Sequence, residues 1–482
     1  MHVSALYTDL YELTMMQGYL ATNHNPQVVF DMFYRNNPFD GGYAVFTGVN
    51  DLIDKLEHFS FDKEDIDYLS SLGTFKKPFL EYLATYRFHA NVYAFREGSI
   101  VFPGEPLVRI HTDLVEAQLI EGIILNTINF QTLIATKAAR MCRAAKDSAI
   151  MEFGLRRAQG DGAMAASRAA YVGGCAITSN TLAGKVYGIP VGGTMAHSWV
   201  MSFSSELEAF RKFAELYPDN AVLLIDTYDV LRSGIENAIT VGLEQKKKGK
   251  KIGVRIDSGD LSYLPKEVRK KLDAAGLEDA TITVSNDLTE DIVQQLVESG
   301  TPINSWGIGT HLVTGGFQSS LNGVYKLAAK AGEDGKMIPT MKISNTTAKT
   351  TNPGIKQVYR FFDADGQALA DLVALQSEEI VAGQKYTFYH PFSEADFFQM
   401  KPSAYAKAEP MLVKQMEDGK RLLPEPKLNV LQQEVKENLK AFHPTYLRLI
   451  NPHIYKVSLS QQLKNLKFGL IVQERERQFQ EN

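Results

Sequence analysis

Ile252-Gly253-Val254-Arg255-Ile256-Asp257-Ser258-Gly259-Asp260 is the stretch on which the fold turns: a short apolar run that ends in a polar, glycine-containing turn. Runs of the same kind recur at Ala149-Ile150-Met151-Glu152-Phe153, Ile189-Pro190-Val191-Gly192-Gly193, Ala221-Val222-Leu223-Leu224-Ile225-Asp226, Thr281-Ile282-Thr283-Val284-Ser285 and Ser305-Trp306-Gly307-Ile308-Gly309. Each is followed by small or polar residues and then by a helical pattern, the alternation expected of strand–helix units around a parallel sheet. In such folds ligands sit at the carboxyl ends of the strands. The residues at those ends are Arg156, His197, Asp226, Asp257, Asn286 with Asp287, and Thr310 with His311. One polar strand end means little; six point to a shared site.

Outward from this block, Asp9 to Met16 reads as the start of an amphipathic helix, and His89 to Ile110 as strands broken at Gly98 and Pro103-Gly104. Glu116 to about Arg143 reads as a long helix with Lys137, Arg140 and Arg143 near its end, where cations complement the helix dipole. After Asp371 the rhythm fades, and Pro424 to Asn482 reads as a helix followed by a strand-like Phe468-Gly469-Leu470-Ile471-Val472. The expected domains are residues 1–125 as an α+β lobe, 126–375 as the α/β catalytic domain, and 376–482 as a C-terminal segment packing on the first lobe.

Of 482 residues, 44% are hydrophobic and 22% charged, which excludes disordered and collagenous classes. Lys plus Arg at 51 against Asp plus Glu at 56 gives −5, so no global field draws nucleic acid or an anionic membrane, and any anion must be held locally. The run Lys246-Lys247-Lys248-Gly249-Lys250-Lys251 reads as a solvated turn. Two cysteines, Cys142 and Cys175, make neither a disulfide scaffold nor a zinc pattern. The first residues lack a basic region followed by an apolar run, and no stretch has the apolar length of a membrane helix, so the expectation is a cytoplasmic protein.

Five stretches carry chemistry. Gly193-Thr194-Met195-Ala196-His197-Ser198 presents a histidine beside the Asp226 strand end; a carboxylate there fixes the imidazole tautomer and leaves one nitrogen free, unless the ring is simply satisfied within the fold. Arg255 and Asp257 share one face of a strand and suit phosphate and Mg²⁺ or ribose hydroxyls, or else pair with each other. Gly307-Ile308-Gly309-Thr310 offers backbone N–H groups to a phosphate, or is a bare glycine turn. Lys349 to Arg360, with Lys356 between them, is a Pro-Gly turn suited to phosphate, or a solubilised hairpin. Phe153 with Arg156 suits a flat aromatic acid, stacking for the ring and a fork for its carboxylate; a core Phe beside a surface Arg is the other reading.

Tyr7-Thr8-Asp9-Leu10-Tyr11-Glu12-Leu13-Thr14-Met15, Phe153-Gly154-Leu155-Arg156-Arg157-Ala158-Gln159-Gly160, the Gly193 to Ser198 motif and Lys349 to Arg360 together resemble the nicotinate phosphoribosyltransferases, nearly end to end. The resemblance implies an irregular α/β barrel of the type II phosphoribosyltransferase kind flanked by an α+β lobe, and a homodimer with shared sites. It implies nicotinate held between Phe153 and the partner subunit's Tyr11, with Arg156 and Arg255 near the carboxylate, and His197 phosphorylated by ATP and oriented by Asp226. Phosphoribosyl pyrophosphate falls near Asp257, Asp287, Gly307, Gly309, Thr310, Lys349 and Lys356, with Asp257 as a Mg²⁺ ligand. Where the family often shows Gln-Gly-Pro-Asp-Gly, this chain has Gln159-Gly160-Asp161-Gly162. The implied activity is ATP-coupled formation of nicotinate mononucleotide in NAD biosynthesis. A nicotinamide-using relative wants a carboxylate for the amide, and Thr178 to Leu182 is neutral; a metal-dependent barrel hydrolase wants His-x-His, which is absent.

Overall fold

Aliphatic runs of four to six residues bounded by turns do form the strands of a parallel sheet in the computed structural model, which describes residues 3–344, 346, 349–393 and 395–481. Its order is Ile177–Thr178, Ala149–Glu152, Ser305–Ile308, Thr281–Asn286, Ile252–Ile256, Ala221–Leu224, with every neighbouring pair parallel. The barrel is thus an open half-barrel. The expected strand Ile189 to Gly193 contributes one isolated bridge, Val191 to Thr178, because Pro190 lacks a donor and two glycines follow; Ile177–Thr178 takes the place next to Ala149–Glu152. Thr178, Glu152, Ile308 and Asn286 lie in one transverse row, which brings the carboxyl ends of four strands level.

This sheet belongs to a compact unit of residues 134–319 and 428–432; residues 1–133, 320–427 and 433–482 form the other. In the first, Lys137 and Arg140 do not cap a helix dipole in solvent: they are buried against Glu290, at 2.6 and 3.0 Å. Lys250 pairs with Asp219 and Lys251 with Asp279 on the surface. Cys142 and Cys175 are free thiols.

The expected limits at 126 and 375 move to 134 and 319, for a reason visible in the pairing. Gly323–Ala331 runs antiparallel to Gln27–Tyr34, from Val28 opposite Lys330 to Tyr34 opposite Gly323, so the chain returns to the N-terminal sheet at residue 320. That sheet has seven strands, in the order Met337–Pro339, Gly323–Ala331, Gln27–Tyr34, Val108–Asp113, Asn91–Ala94, Val413–Glu417, Lys420–Arg421. A six-stranded sheet in the same unit includes Lys356–Phe362, Ala368–Leu375 and Val457–Leu459. Residues 468–472 are not a strand; they lie within the helix Gln461–Glu481, which buries Leu463 and Lys467 at helical spacing.

Arg360, expected on a basic turn, is 3% exposed and forks onto Asp371 at 2.6–3.2 Å, while Tyr455 donates to the same carboxylate at 2.9 Å. The Phe442 ring lies 5.1 Å away. Removing one partner strands a buried charge, so Asp371→Ala lowers the unfolding free energy by ~3–5 kcal/mol in urea titrations; a loss under ~1 kcal/mol is what a solvent-screened pair gives.

His89 sets a pH signature. Glu116 lies 2.9 Å from its Nδ1 and Asp113 3.0 Å from its Nε2, and the Glu116 hydrogen bond, against burial, pushes its pKa up to about 9. A raised pKa gives stability that is fully present below the unfolded value of ~6.5 and lost as pH climbs to about 9. The gap in urea midpoint between the wild type and His89→Gln therefore closes across that window; a gap independent of pH would refute the assignment.

Candidate active site

A cleft of about 420 Å³ opens at the carboxyl ends of the parallel strands, lined by Phe153, Arg156, Ser179, Thr194, His197, Arg255 and Asp257 among others. The strand-end residues read from the sequence thus converge in part, and the hydrogen bonds distribute their roles differently from expectation.

His197 is the first residue of a short helix, His197–Met201. Its Nδ1 is 3.1 Å from Thr227 Oγ1 and its Nε2 4.0 Å from Asp257 Oδ2. The carboxylate facing the imidazole is therefore Asp257, where Asp226 was expected. Asp226 is drawn to the next strand end: its Oδ2 accepts from Asp257 N at 2.9 Å and Ser258 Oγ at 2.6 Å. Thr227 was missed, although a hydroxyl directly after a strand-end aspartate is a signal that sequence reasoning can use.

Arg255 was expected at a ligand carboxylate, but its guanidinium is already engaged. Nε donates to Ser285 Oγ at 2.9 Å, Nη1 to Thr194 Oγ1 at 2.6 Å and Met195 O at 3.3 Å, and Nη2 to Asp257 Oδ1 at 3.2 Å. Ser285 Oγ also donates to Asp257 Oδ1. Arg255 thereby braces the segment that delivers His197. Arg156 is exposed on the rim and has no hydrogen-bond or ion-pair partner among the described residues, so it is the open guanidinium of the cleft.

Phe153 owes its position to two glycines. A Cβ on Gly307 would fall 2.6 Å from Phe153 Cδ2, and one on Gly154 2.2 Å from Val313 Cγ1. Gly307 is therefore buried beneath the ring and does not present itself to a phosphate. A Cβ on Gly309 would lie 3.1 Å from Phe153 O. Thr310 Oγ1 donates to Asp287 Oδ1 at 3.3 Å; these two stand at neighbouring strand ends outside the cleft lining. Behind the ring, sequence reasoning missed Glu152, which is fully buried and accepts from Gly154 N, Ser167 Oγ at 2.9 Å and Thr178 Oγ1 at 2.5 Å. Strand alternation, with Met151 half-buried between Ile150 and Glu152, was the available signal.

Three expected residues lie in the other unit. Tyr11 is half-exposed on the helix Leu10–Ala21, with burial and the adjacent Glu12 raising its phenol pKa. Lys349 is exposed. Lys356 is buried, and its ammonium is occupied by Asp31 Oδ2 at 2.7 Å, Asn352 O at 2.8 Å and Gly354 O at 2.6 Å. Its three donors are spent, so it is not a free cation for pyrophosphate.

No cluster of three or more His, Cys, Asp or Glu capable of holding a metal occurs among the described residues. Asp226 Oδ1 is buried without a hydrogen-bond partner, and Asp257 Oδ2 faces the cleft histidine. Two carboxylate oxygens of this kind fit Mg²⁺, which takes one or two protein carboxylates and completes its shell with water and substrate phosphate.

Models of three segments match the chain: the nicotinate phosphoribosyltransferase N-terminal domain over residues 6–129, the nicotinate phosphoribosyltransferase family over 148–359, and its C-terminal domain over 355–467. A nicotinate phosphoribosyltransferase of Bacillus subtilis (strain 168) is 41% identical over 460 residues, 95% of this chain and 93% of its own. One from Caenorhabditis elegans is 38% identical over 96% of this chain and 92% of its own. The crystal structure of human nicotinic acid phosphoribosyltransferase superposes with a TM-score of 0.84 at 31% identity, covering 96% of this chain and 99% of that one. A nicotinate-nucleotide pyrophosphorylase from Pyrococcus furiosus, at 22% identity and a TM-score of 0.71, shares the fold.

The Arg255 brace has a measurable consequence. Arg255→Met frees Thr194 and Met195 together, and amide exchange in residues 193–198, followed by mass spectrometry, accelerates by about tenfold or more, the equivalent of losing one or two hydrogen bonds. Arg255→Lys restores little of the protection, because one ammonium cannot span four acceptors on three segments. Unchanged exchange in Arg255→Met would remove the brace.

Proposed function

This chain belongs to the nicotinate phosphoribosyltransferase family, and we infer from its strand-end cleft how its residues divide the family's reaction. It is an enzyme of NAD salvage that joins nicotinate to phosphoribosyl pyrophosphate, giving nicotinate mononucleotide and pyrophosphate. The observation that carries the division of roles is the meeting of an apolar ring, an unpaired guanidinium and a histidine–carboxylate pair in one cleft.

Nicotinate lies on Phe153 with its carboxylate on Arg156, and the partner subunit's Tyr11 covers the other face in a homodimer. The neutral Ser179 lining the cleft offers no carboxylate for an amide NH₂, which favours the acid over nicotinamide. The pyridine nitrogen attacks C1 of the ribose as the C1–O bond to pyrophosphate breaks; positive charge grows on the sugar and negative charge on the leaving group. A pyridine nitrogen needs no base, so the work is alignment and charge stabilisation. Asp257 serves the sugar side. Asp226 Oδ1 and Asp257 Oδ2 would hold Mg²⁺, which when bound neutralises the leaving diphosphate. Asp287, Gly309 and Thr310 remain the proposed contacts of the substrate's phosphates.

His197 couples ATP to this step. Asp257 near Nε2 keeps the proton there, and Nδ1, next to the Thr227 hydroxyl, is left with its lone pair. Nδ1 attacks the γ-phosphorus, forming an N–P bond and expelling ADP; water later cleaves that bond, releasing phosphate.

Mixing the purified protein with nicotinate, phosphoribosyl pyrophosphate, Mg²⁺ and ATP yields the mononucleotide and pyrophosphate, with nicotinamide and quinolinate reacting far more slowly; equal rates with either would overturn the substrate assignment. In His197→Ala, label from γ-phosphate-labelled ATP no longer attaches to the protein. ATP-independent transfer continues there, slower by about tenfold or more, at least ~1.4 kcal/mol in barrier. Label retained by His197→Ala would rule out the phosphohistidine.

A further inference from the structure

The unit built from residues 1–133, 320–427 and 433–482 encloses a cavity of about 210 Å³ that the transfer reaction leaves unused. Phe33, Val373, Val457 and Leu459 supply apolar wall, and Asp31 is the one acid lining it among the described residues. Asp31 and Phe33 alternate on the strand Gln27–Tyr34 and share a face; the Arg35 guanidinium follows on that side, 6.0 Å from the Phe33 ring. Two polar atoms here are left over. Asp31 is 3% exposed, with its Oδ2 on the Lys356 ammonium at 2.7 Å and its Oδ1 buried without a hydrogen-bond partner. Arg35 Nε is buried without one as well. Folds rarely leave such atoms unmade, because each has given up its water for nothing.

Charge decides what can meet Asp31 Oδ1. The group must donate, which an anion cannot do, and Lys356 has no donor left to draw one in, since its other N–H groups go to Asn352 O at 2.8 Å and Gly354 O at 2.6 Å. A cation can donate but meets four groups of its own sign. These are Lys356, Arg35, Arg109 directly across the strand ladder from Asp31, and Lys467, which stands behind the wall and donates to Asn352 Oδ1 and Pro391 O, both at 2.9 Å. What remains is an uncharged group with an N–H for the carboxylate and a lone pair for the guanidinium, and a primary amide has both.

We propose that this cavity binds an uncharged aromatic amide, its N–H on Asp31 Oδ1, its ring against Phe33, Val373 and Leu459, and a lone pair left for Arg35 Nε. A single ring fits, since an apolar cavity of ~150 Å³ holds benzene. The site draws on none of the parallel strand ends.

The test is calorimetric titration of the full chain, its catalytic cleft first saturated with nicotinate mononucleotide, with benzamide, benzoate and benzylamine, three probes that share a ring and differ in charge. Benzamide takes one further equivalent per chain and binds about tenfold or more tighter than either charged probe, the worth of one buried hydrogen bond to a charged acceptor. Asp31→Asn, which offers an N–H where the carboxylate had only lone pairs, narrows the preference for benzamide over benzoate by about tenfold. Val457→Phe fills the cavity, leaves the charges in place and abolishes the equivalent, and it decides the matter where Asp31→Asn does not fold. A cavity that takes only water gives no extra equivalent at millimolar benzamide and overturns the proposal. So does a charged probe that binds as tightly as benzamide, a preference unchanged in Asp31→Asn, or binding that survives Val457→Phe.

Discussion

The guanidinium of Arg255 is the point through which the catalytic cleft is held together. It spends its donors on Ser285, Thr194, Met195 and Asp257, so the segments at 194–195, 257 and 285 converge on one planar group. A planar fork suits this because its donors point in fixed directions. The consequence reaches the histidine at second hand. Arg255 fixes Thr194 and Met195, their segment fixes the start of the helix at His197, and Asp257, held by the same arginine, meets the imidazole. Residues that look like ligand contacts in sequence can therefore be the frame on which the ligand contacts stand.

The fold was legible where local preference and tertiary need agree. Val254, Ile256, Ile282 and Val284 read as buried parallel strand and are buried parallel strand. The cleft was legible at its corners, in Phe153, Arg156, His197 and Asp257. The partner of His197 was not, because strand ends that neighbour one another in sequence order differ in where their loops turn. Asp226 closes onto the backbone of Asp257 and the hydroxyl of Ser258, and Thr227 comes forward instead. Lys356 and Arg360 were opaque for another reason: a basic residue in a turn-rich stretch has the same letter whether it is solvated or sealed against an acid more than three hundred positions earlier, as Lys356 is against Asp31. The return of Gly323–Ala331 to the N-terminal sheet was hidden likewise, since antiparallel pairing leaves no trace in the strand that waits for it.

Buried charge recurs in three forms. Glu152 is saturated by a backbone N–H and two hydroxyls and stiffens the turn beneath Phe153. Arg360 is saturated by Asp371 within a cage of rings, which secures the core of its unit. Lys467 has neither. Its amide and carbonyl partners are neutral, and its nearest charged neighbour has its own sign. Desolvation is severe in all three places, so the difference lies in what the fold provides, and only the third leaves electrostatic work undone.

The interrupted course of the chain also governs its birth on the ribosome. Strand Gln27–Tyr34 emerges early, yet its partner Gly323–Ala331 and the edge pair Val413–Glu417 and Lys420–Arg421 are synthesised only after the whole parallel sheet has been made. At ~5–20 residues per second, the first strand is without that neighbour for roughly fifteen to sixty seconds. Vectorial synthesis thus lets the catalytic sheet close first, while the opening segment must be shielded from pairing with other nascent chains until its own late sequence arrives.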